Sequence, residues 1–86
     1  MARVVLAARA RRDLLALSWP LIDATEEALA LLTREPFAGH PLQGRLSGLR
    51  SLRVGSYRVI YQLKTEQLVR VVAIRHRGTA YVTDPR

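Results

Sequence analysis

The chain has 86 residues, 49% of them hydrophobic and 24% charged, with no cysteine and a net charge of +7. That length supports one domain spanning 1–86 and excludes two. The composition excludes disorder, and the absence of cysteine excludes a disulfide framework or a thiolate metal site. The charge is uneven: residues 1–36 carry five arginines and five acids, whereas residues 37–82 carry eight Lys or Arg against Glu66 alone. Such a one-sided field attracts polyanions, which points to nucleic acid or an acidic protein partner, with a merely solubilising basic surface as the alternative.

In chain order, Arg3 to Ala7 reads as a short strand, apolar at Val4, Val5 and Leu6. The apolar run is too short for a signal peptide or a membrane span, so a cytoplasmic location with no membrane association is expected. From about Ala8 to Leu17, Ala10, Leu14 and Leu17 recur at helical spacing, with Arg9 and Arg12 directed elsewhere. Ser18-Trp19-Pro20 breaks that helix, because proline suits the first turn of the next one. The second helix runs from about Pro20 to Arg34 with an apolar stripe of Leu21, Ile22, Thr25, Ala28, Leu29 and Leu32. Acids in its early turns and Arg34 in its last match the helix dipole. Trp19, at the junction, is expected to anchor the packing of the two helices.

Glu35 to Gly44 reads as a loop by its prolines and glycines, and it contains His40. Leu52 and Val54 then alternate with Ser51 and Arg53, Gly55-Ser56 marks a turn, and Tyr57, Val59, Tyr61 and Leu63 recur with period two. This is a β-hairpin, with Tyr57 and Tyr61 directed at the core and Arg58 on the opposite face beside Ile60. After the polar turn Lys64 to Gln67, the nearly unbroken apolar run Leu68 to Ile74 reads as a central strand covered on both faces. The helices can cover only one, so a partner protein or a shallow apolar floor is expected on the other. The order β-α-α-β-β-β implies a two-layer α+β fold with a mainly antiparallel sheet of about four strands, in which the place of the first strand is left open.

The acids lie almost entirely outside the basic half, so neither a carboxylate pair nor a magnesium cage can be assembled on these strands, and the widely spaced His40 and His76 argue against zinc. No nucleophile motif and no phosphate-binding glycine loop is present. What the region offers is arginine, tyrosine and one histidine: Arg50, Arg53, Arg58, Arg75, Arg77, His76, Tyr57 and Tyr81 fall on or just after three consecutive strands. Adjacent strands lie about 5 Å apart, so residues at matching heights converge on one patch. Guanidinium groups clamp phosphate and keep their charge, and tyrosine adds a stacking face, which suits RNA. For Arg58 the competing expectation is a salt bridge to an acid on the helices, and for His76 an exposed strand-end position.

These residues resemble the RelE/ParE toxin superfamily, and its RelE branch in particular. The resemblance is carried by Pro41-Leu-Gln-Gly44, by Leu46-Ser-Gly-Leu-Arg-Ser-Leu-Arg-Val-Gly-Ser-Tyr-Arg-Val-Ile-Tyr61, and by Val71-Val-Ala-Ile-Arg-His-Arg77 with Tyr81. It implies the toxin of a bacterial type II toxin-antitoxin pair, acting as an mRNA endoribonuclease in the ribosomal A site. It also implies no metal and no cofactor, because the RNA's own 2′-hydroxyl attacks the adjacent phosphate. Transferred by position, Arg58 holds the scissile phosphate, Arg77 assists there or at the leaving oxygen, and Tyr81 stacks on the RNA and helps with the 2′-hydroxyl. Arg53 and Arg50 match positions that contact the backbone, and Arg45, Arg75 and His76 complete the expected RNA-binding set. An antitoxin partner is implied too, binding through an acidic amphipathic segment over the arginine patch or the helix hairpin in a hetero-oligomer. Where many relatives read His-Arg-Arg-Glu-Val-Tyr, this chain reads His76-Arg-Gly-Thr-Ala-Tyr81. The other two classes consistent with the same fold are a ParE-like inhibitor of DNA gyrase and an inactive relative that only binds its antitoxin.

Overall fold

A computed structural model describes residues 1–86. Its elements are β1 (Arg3–Leu6), α1 (Ala8–Leu15), α2 (Trp19–Arg34), β2 (His40–Pro41), a 3-10 turn (Gly44–Leu46), β3 (Arg50–Val54), β4 (Tyr57–Thr65) and β5 (Leu68–His76). The fold is α+β, two helices against a mixed sheet. The sheet has five strands in the order β1-β5-β4-β3-β2, one more than expected, because His40–Pro41 inside the Pro/Gly-rich loop pairs antiparallel with β3. β1 lies parallel beside β5, which makes β5 an inner strand, as its apolar run requires.

The β3–β4 hairpin turns at Gly55-Ser56. Gly55 has φ 57° and no non-glycine residue has positive φ, which is the pattern of a type II′ turn and fits the twist of the flanking strands. Between β4 and β5 the ladder slips: Ile60 faces Ala73, but Tyr61 faces Val71, so Val72 is the extra residue of a bulge. The consequence is that Val71 and Ile74, three residues apart, both reach the helix side, while Val72 points to the other face.

The main core lies under the helices and joins Ala10 and Leu32 to Val59, Tyr61, Val69, Val71 and Ile74. Ala10 and Leu14 pack as their spacing predicts, and so do Ala28, Leu29 and Leu32 of α2; Leu17 also packs on the core, but from the connection, because α1 ends at Leu15 and not at Leu17. Trp19 does not. It is 72% exposed, close to the 73% of Leu15, because α1 ends at Leu15 and the connection directs both side chains away from the sheet. On the far face of the sheet the chain supplies an apolar cover of its own: Leu46 and Leu49 from the loop and Ala80 from the tail pack on Ile60 and Val72. At roughly 2 kcal/mol per buried leucine, this light cover suffices to hold loop and tail on the sheet.

β1 ends where Ala7 donates to the Val71 carbonyl (2.9 Å). Beyond that point the β5 edge would carry an unpaired donor at Ile74, and α1 supplies the acceptor, Asp13 Oδ2 at 2.9 Å. Asp13→Ala is therefore expected to destabilise the fold by about 2 kcal/mol, the cost of removing a charged acceptor from a half-buried amide, as read from denaturant melts.

Candidate functional site: an arginine row on the open sheet face

Strand pairing places Arg53 opposite Arg58 and Arg58 opposite Arg75. Residues paired across a ladder share a face, so three arginines from β3, β4 and β5 form one row, about 5 Å between strands, on the side away from the helices. None of them meets a carboxylate, since the only ion pair in the molecule joins Arg86 to Asp84 (2.8 Å). The salt-bridge alternative for Arg58 is thereby set aside. Its Nη1 instead donates to the carbonyls of Gly55 (3.1 Å) and Tyr57 (2.8 Å). These two bonds tie one corner of the guanidinium to the hairpin turn and leave Nη2 and Nε without a protein acceptor.

Arg77 reaches the same turn from the other side, its backbone amide donating to the Ser56 carbonyl at 2.7 Å. The turn Gly55-Ser56 thus brings together Arg58 and Arg77, which are far apart in sequence. The tail then folds back over the face. Arg75 Nη1 donates to the carbonyls of Thr83 (2.8 Å) and Ala80 (3.4 Å), and Arg45 donates to the Val82 carbonyl (3.0 Å). Arg86 closes the tail by donating to the carbonyls of Ser47 (2.8 Å) and Arg45 (3.0 Å). Hydrogen bonds from Arg86 hold the Asp84 carboxyl below the usual carboxylate range.

Tyr81 lies at the end of this path. It is 37% exposed and its hydroxyl is 2.8 Å from Oγ of Ser51, a residue 1% exposed on β3. Ser51 pairs with Ile60 and precedes Arg53 by two, so it shares the face of the arginine row. Sequence reasoning did not single it out. The available signal was its alternation with Leu52 and Val54, which puts a small polar side chain on the same face as Arg53.

Two expected members sit apart from the row. Arg50 pairs with Tyr61 and so faces the helix side, where Nη2 donates to the carbonyls of Gly39 (2.6 Å) and Phe37 (3.2 Å) and the guanidinium lies 5.3 Å from the Phe37 ring centre. His76 pairs with Tyr57, also on the helix side, with the two rings edge to face at 5.4 Å. Its Nδ1 accepts the Gly78 amide at 3.2 Å, which puts the proton of the neutral ring on Nε2. It is an exposed strand-end residue, as the competing reading held.

A row of arginines that pairs with no carboxylate, bordered by a partly exposed tyrosine, is a surface to which a polyanion can bind. The family model for the ParE toxin of type II toxin-antitoxin systems, parDE, matches residues 4–81. Toxin RelG of Mycobacterium tuberculosis (strain ATCC 25618 / H37Rv) is 39% identical over 75 residues, 84% of this chain and 86% of that protein. A chain of the toxin-antitoxin complex RelBE2 from Mycobacterium tuberculosis superposes with a TM-score of 0.81 at 35% identity, over 88% of this chain and 98% of that one. Isolated RelE toxin of E. coli shares the fold, with a TM-score of 0.74 at 18% identity over 88% of this chain and 84% of that one. The chain belongs to the RelE/ParE superfamily of toxins from type II toxin-antitoxin systems. Within it, the structure is RelE-like.

Proposed function

We propose that this toxin is a ribosome-dependent mRNA endoribonuclease, acting in the cytoplasm in the ribosomal A site. The observation that carries the reading is the Arg53–Arg58–Arg75 row with Arg77 at its end: four guanidinium-bearing residues, none neutralised by a carboxylate, fixed on strands or at a strand end. The RNA 2′-oxygen attacks the adjacent phosphorus and the bond to the 5′-oxygen breaks, giving a cyclic phosphate and a free 5′-hydroxyl. The 2′-proton is lost and the leaving oxygen gains one. Charge builds on the phosphate oxygens, and Arg58, central in the row with two N–H edges unengaged, is the group to stabilise it. Arg77, whose backbone is tied to the same turn, serves the leaving oxygen, Arg53 holds the flanking backbone, and Tyr81 stacks on a base to set the angle of attack. Arg75 and Arg45 act through the tail they hold, while Arg50, which braces the Gly39 loop, and His76 lie on the helix side and make no contact with RNA held on the row.

The antitoxin is read as an acidic amphipathic segment. Exposed Leu15 and Trp19 at the helix junction supply apolar contact, and Arg11 and Arg12, neighbours of Leu15 on the α1 surface and themselves exposed, supply the complementary charge. Expressed alone, the protein is expected to stop growth, and co-expression of the adjacent antitoxin gene to restore it. Mapping of mRNA 5′ ends after a pulse of expression should then show cuts confined to translated codons. Intact mRNA with trapped gyrase–DNA complexes would select gyrase inhibition instead, and normal growth would leave only antitoxin binding.

A further inference from the structure

We propose that Ser51 is a positioning residue for Tyr81, and that the Tyr81 hydroxyl serves as the anchor of that contact while the ring does the work on RNA. The inference rests on the nuclease reading and assigns the tyrosine's two ends. Ser51 is 1% exposed, so its Oγ lies in the floor of the arginine face, and a phenol oxygen 2.8 Å from it is directed into that floor. Tyr81 as a whole is 37% exposed, so with its hydroxyl held at the floor the residue still presents surface to solvent. The tail around it makes the anchor necessary. Residues 77–82 form turns without helix or strand, and the bonds of Gly78 and Thr79 before the tyrosine are local, to His76 two and three residues back and from the Val82 amide to the Thr79 carbonyl. Its backbone ties are the Arg77 amide at one end and the Arg75 and Arg45 bonds to Ala80, Thr83 and Val82 around it. Those bonds fix where the chain passes. The direction of the tyrosine side chain is set by Ala80 buried on one side and by the Ser51 hydroxyl.

Because the bond closes across 30 residues, from an inner strand to the tail, it transmits the rigidity of the sheet to a ring that is otherwise carried on a loop. The bond has one hydroxyl at each end, so removing either should have the same effect as removing both.

Cleavage of mRNA on programmed ribosomes is the test, with wild type, S51A, Y81F, S51A/Y81F and Y81A. The expected result is that S51A and Y81F each lower kcat about fivefold with KM within twofold, and that the double variant falls no further. Y81A, which removes the ring, is expected to lose about 100-fold. Loss in Y81F as great as in Y81A, with S51A near wild type, would make the hydroxyl a chemical group and overturn the proposal. So would a further fivefold loss when S51A is added to Y81F, since Ser51 would then act independently of Tyr81. A wild-type protein that leaves ribosome-bound mRNA intact would instead overturn the nuclease reading on which the assignment rests.

Discussion

Arg58→Ala is expected to lower the rate of mRNA cleavage on ribosomes by about 10²–10³-fold, the usual cost of removing one preorganised group from a developing oxyanion. The fold should be nearly unaffected. The two bonds that Arg58 makes go to carbonyls of the hairpin turn, one of them exposed and one only partly buried, and water replaces the guanidinium there at a cost of under about 1 kcal/mol. Circular dichroism and melting temperature should therefore match wild type while expression no longer arrests growth. Arg58→Lys is expected to recover little, because an ammonium keeps the charge but has no planar fork to hold two phosphate oxygens while remaining tied to the turn. Wild-type cleavage by the alanine variant would remove Arg58 from the centre of the site.

Gly39→Ala carries the largest expected loss of stability. A Cβ at Gly39 would lie 2.7 Å from the Ser51 carbonyl oxygen and 2.8 Å from the Tyr61 hydroxyl, closer than atoms approach without something moving. The Ser51 carbonyl belongs to a strand and cannot yield. Tyr61 is fully buried, and its hydroxyl donates to the Pro36 carbonyl at 2.9 Å and accepts the Gly39 amide at 3.0 Å. Arg50 holds the same loop through the Gly39 carbonyl. The loop must therefore shift and break bonds at both Tyr61 and Arg50, for about 3 kcal/mol from overpacking and lost hydrogen bonds together. In a chain of this size that corresponds to roughly 12–24 °C in melting temperature. Gly78→Ala is the control. Its Cβ would meet nothing nearer than His76 Nδ1 at 3.4 Å, an ordinary contact, and the melting temperature should stay within a few degrees.

Much of this molecule was legible from local pattern. The helix faces, the hairpin turn at Gly55-Ser56 and the burial of Tyr61 all follow from spacings of two or 3.6 residues, because side-chain direction within one element is fixed by its backbone geometry. The alternation around Arg58 likewise put it on the face opposite the tyrosines, and the pairing Arg53↔Arg58↔Arg75 made that face a row. Arg50 shows the limit of treating nearby arginines as one set. It differs from Arg53 by three positions along a strand, an odd number, and so belongs to the other side of the sheet. Trp19 shows another. A tryptophan at a tight junction has apolar surface to bury, but the end of α1 at Leu15 decides whether the core is within reach.

By itself the sequence determined the element types, the basic second half and the hairpin with Arg53 and Arg58 on one face. It did so because charge and strand alternation are properties of neighbours in the chain. Only the tertiary structure decided the parallel place of β1 beside β5, the bulge at Val72, and the return of the chain's own loop and tail to cover the far face. Only there, too, do Arg77 and Arg58 meet at one turn and Tyr81 find Ser51. Each of those contacts joins residues distant in sequence. No local period encodes them, and each depends on where the strands have already been fixed by burial of the main core.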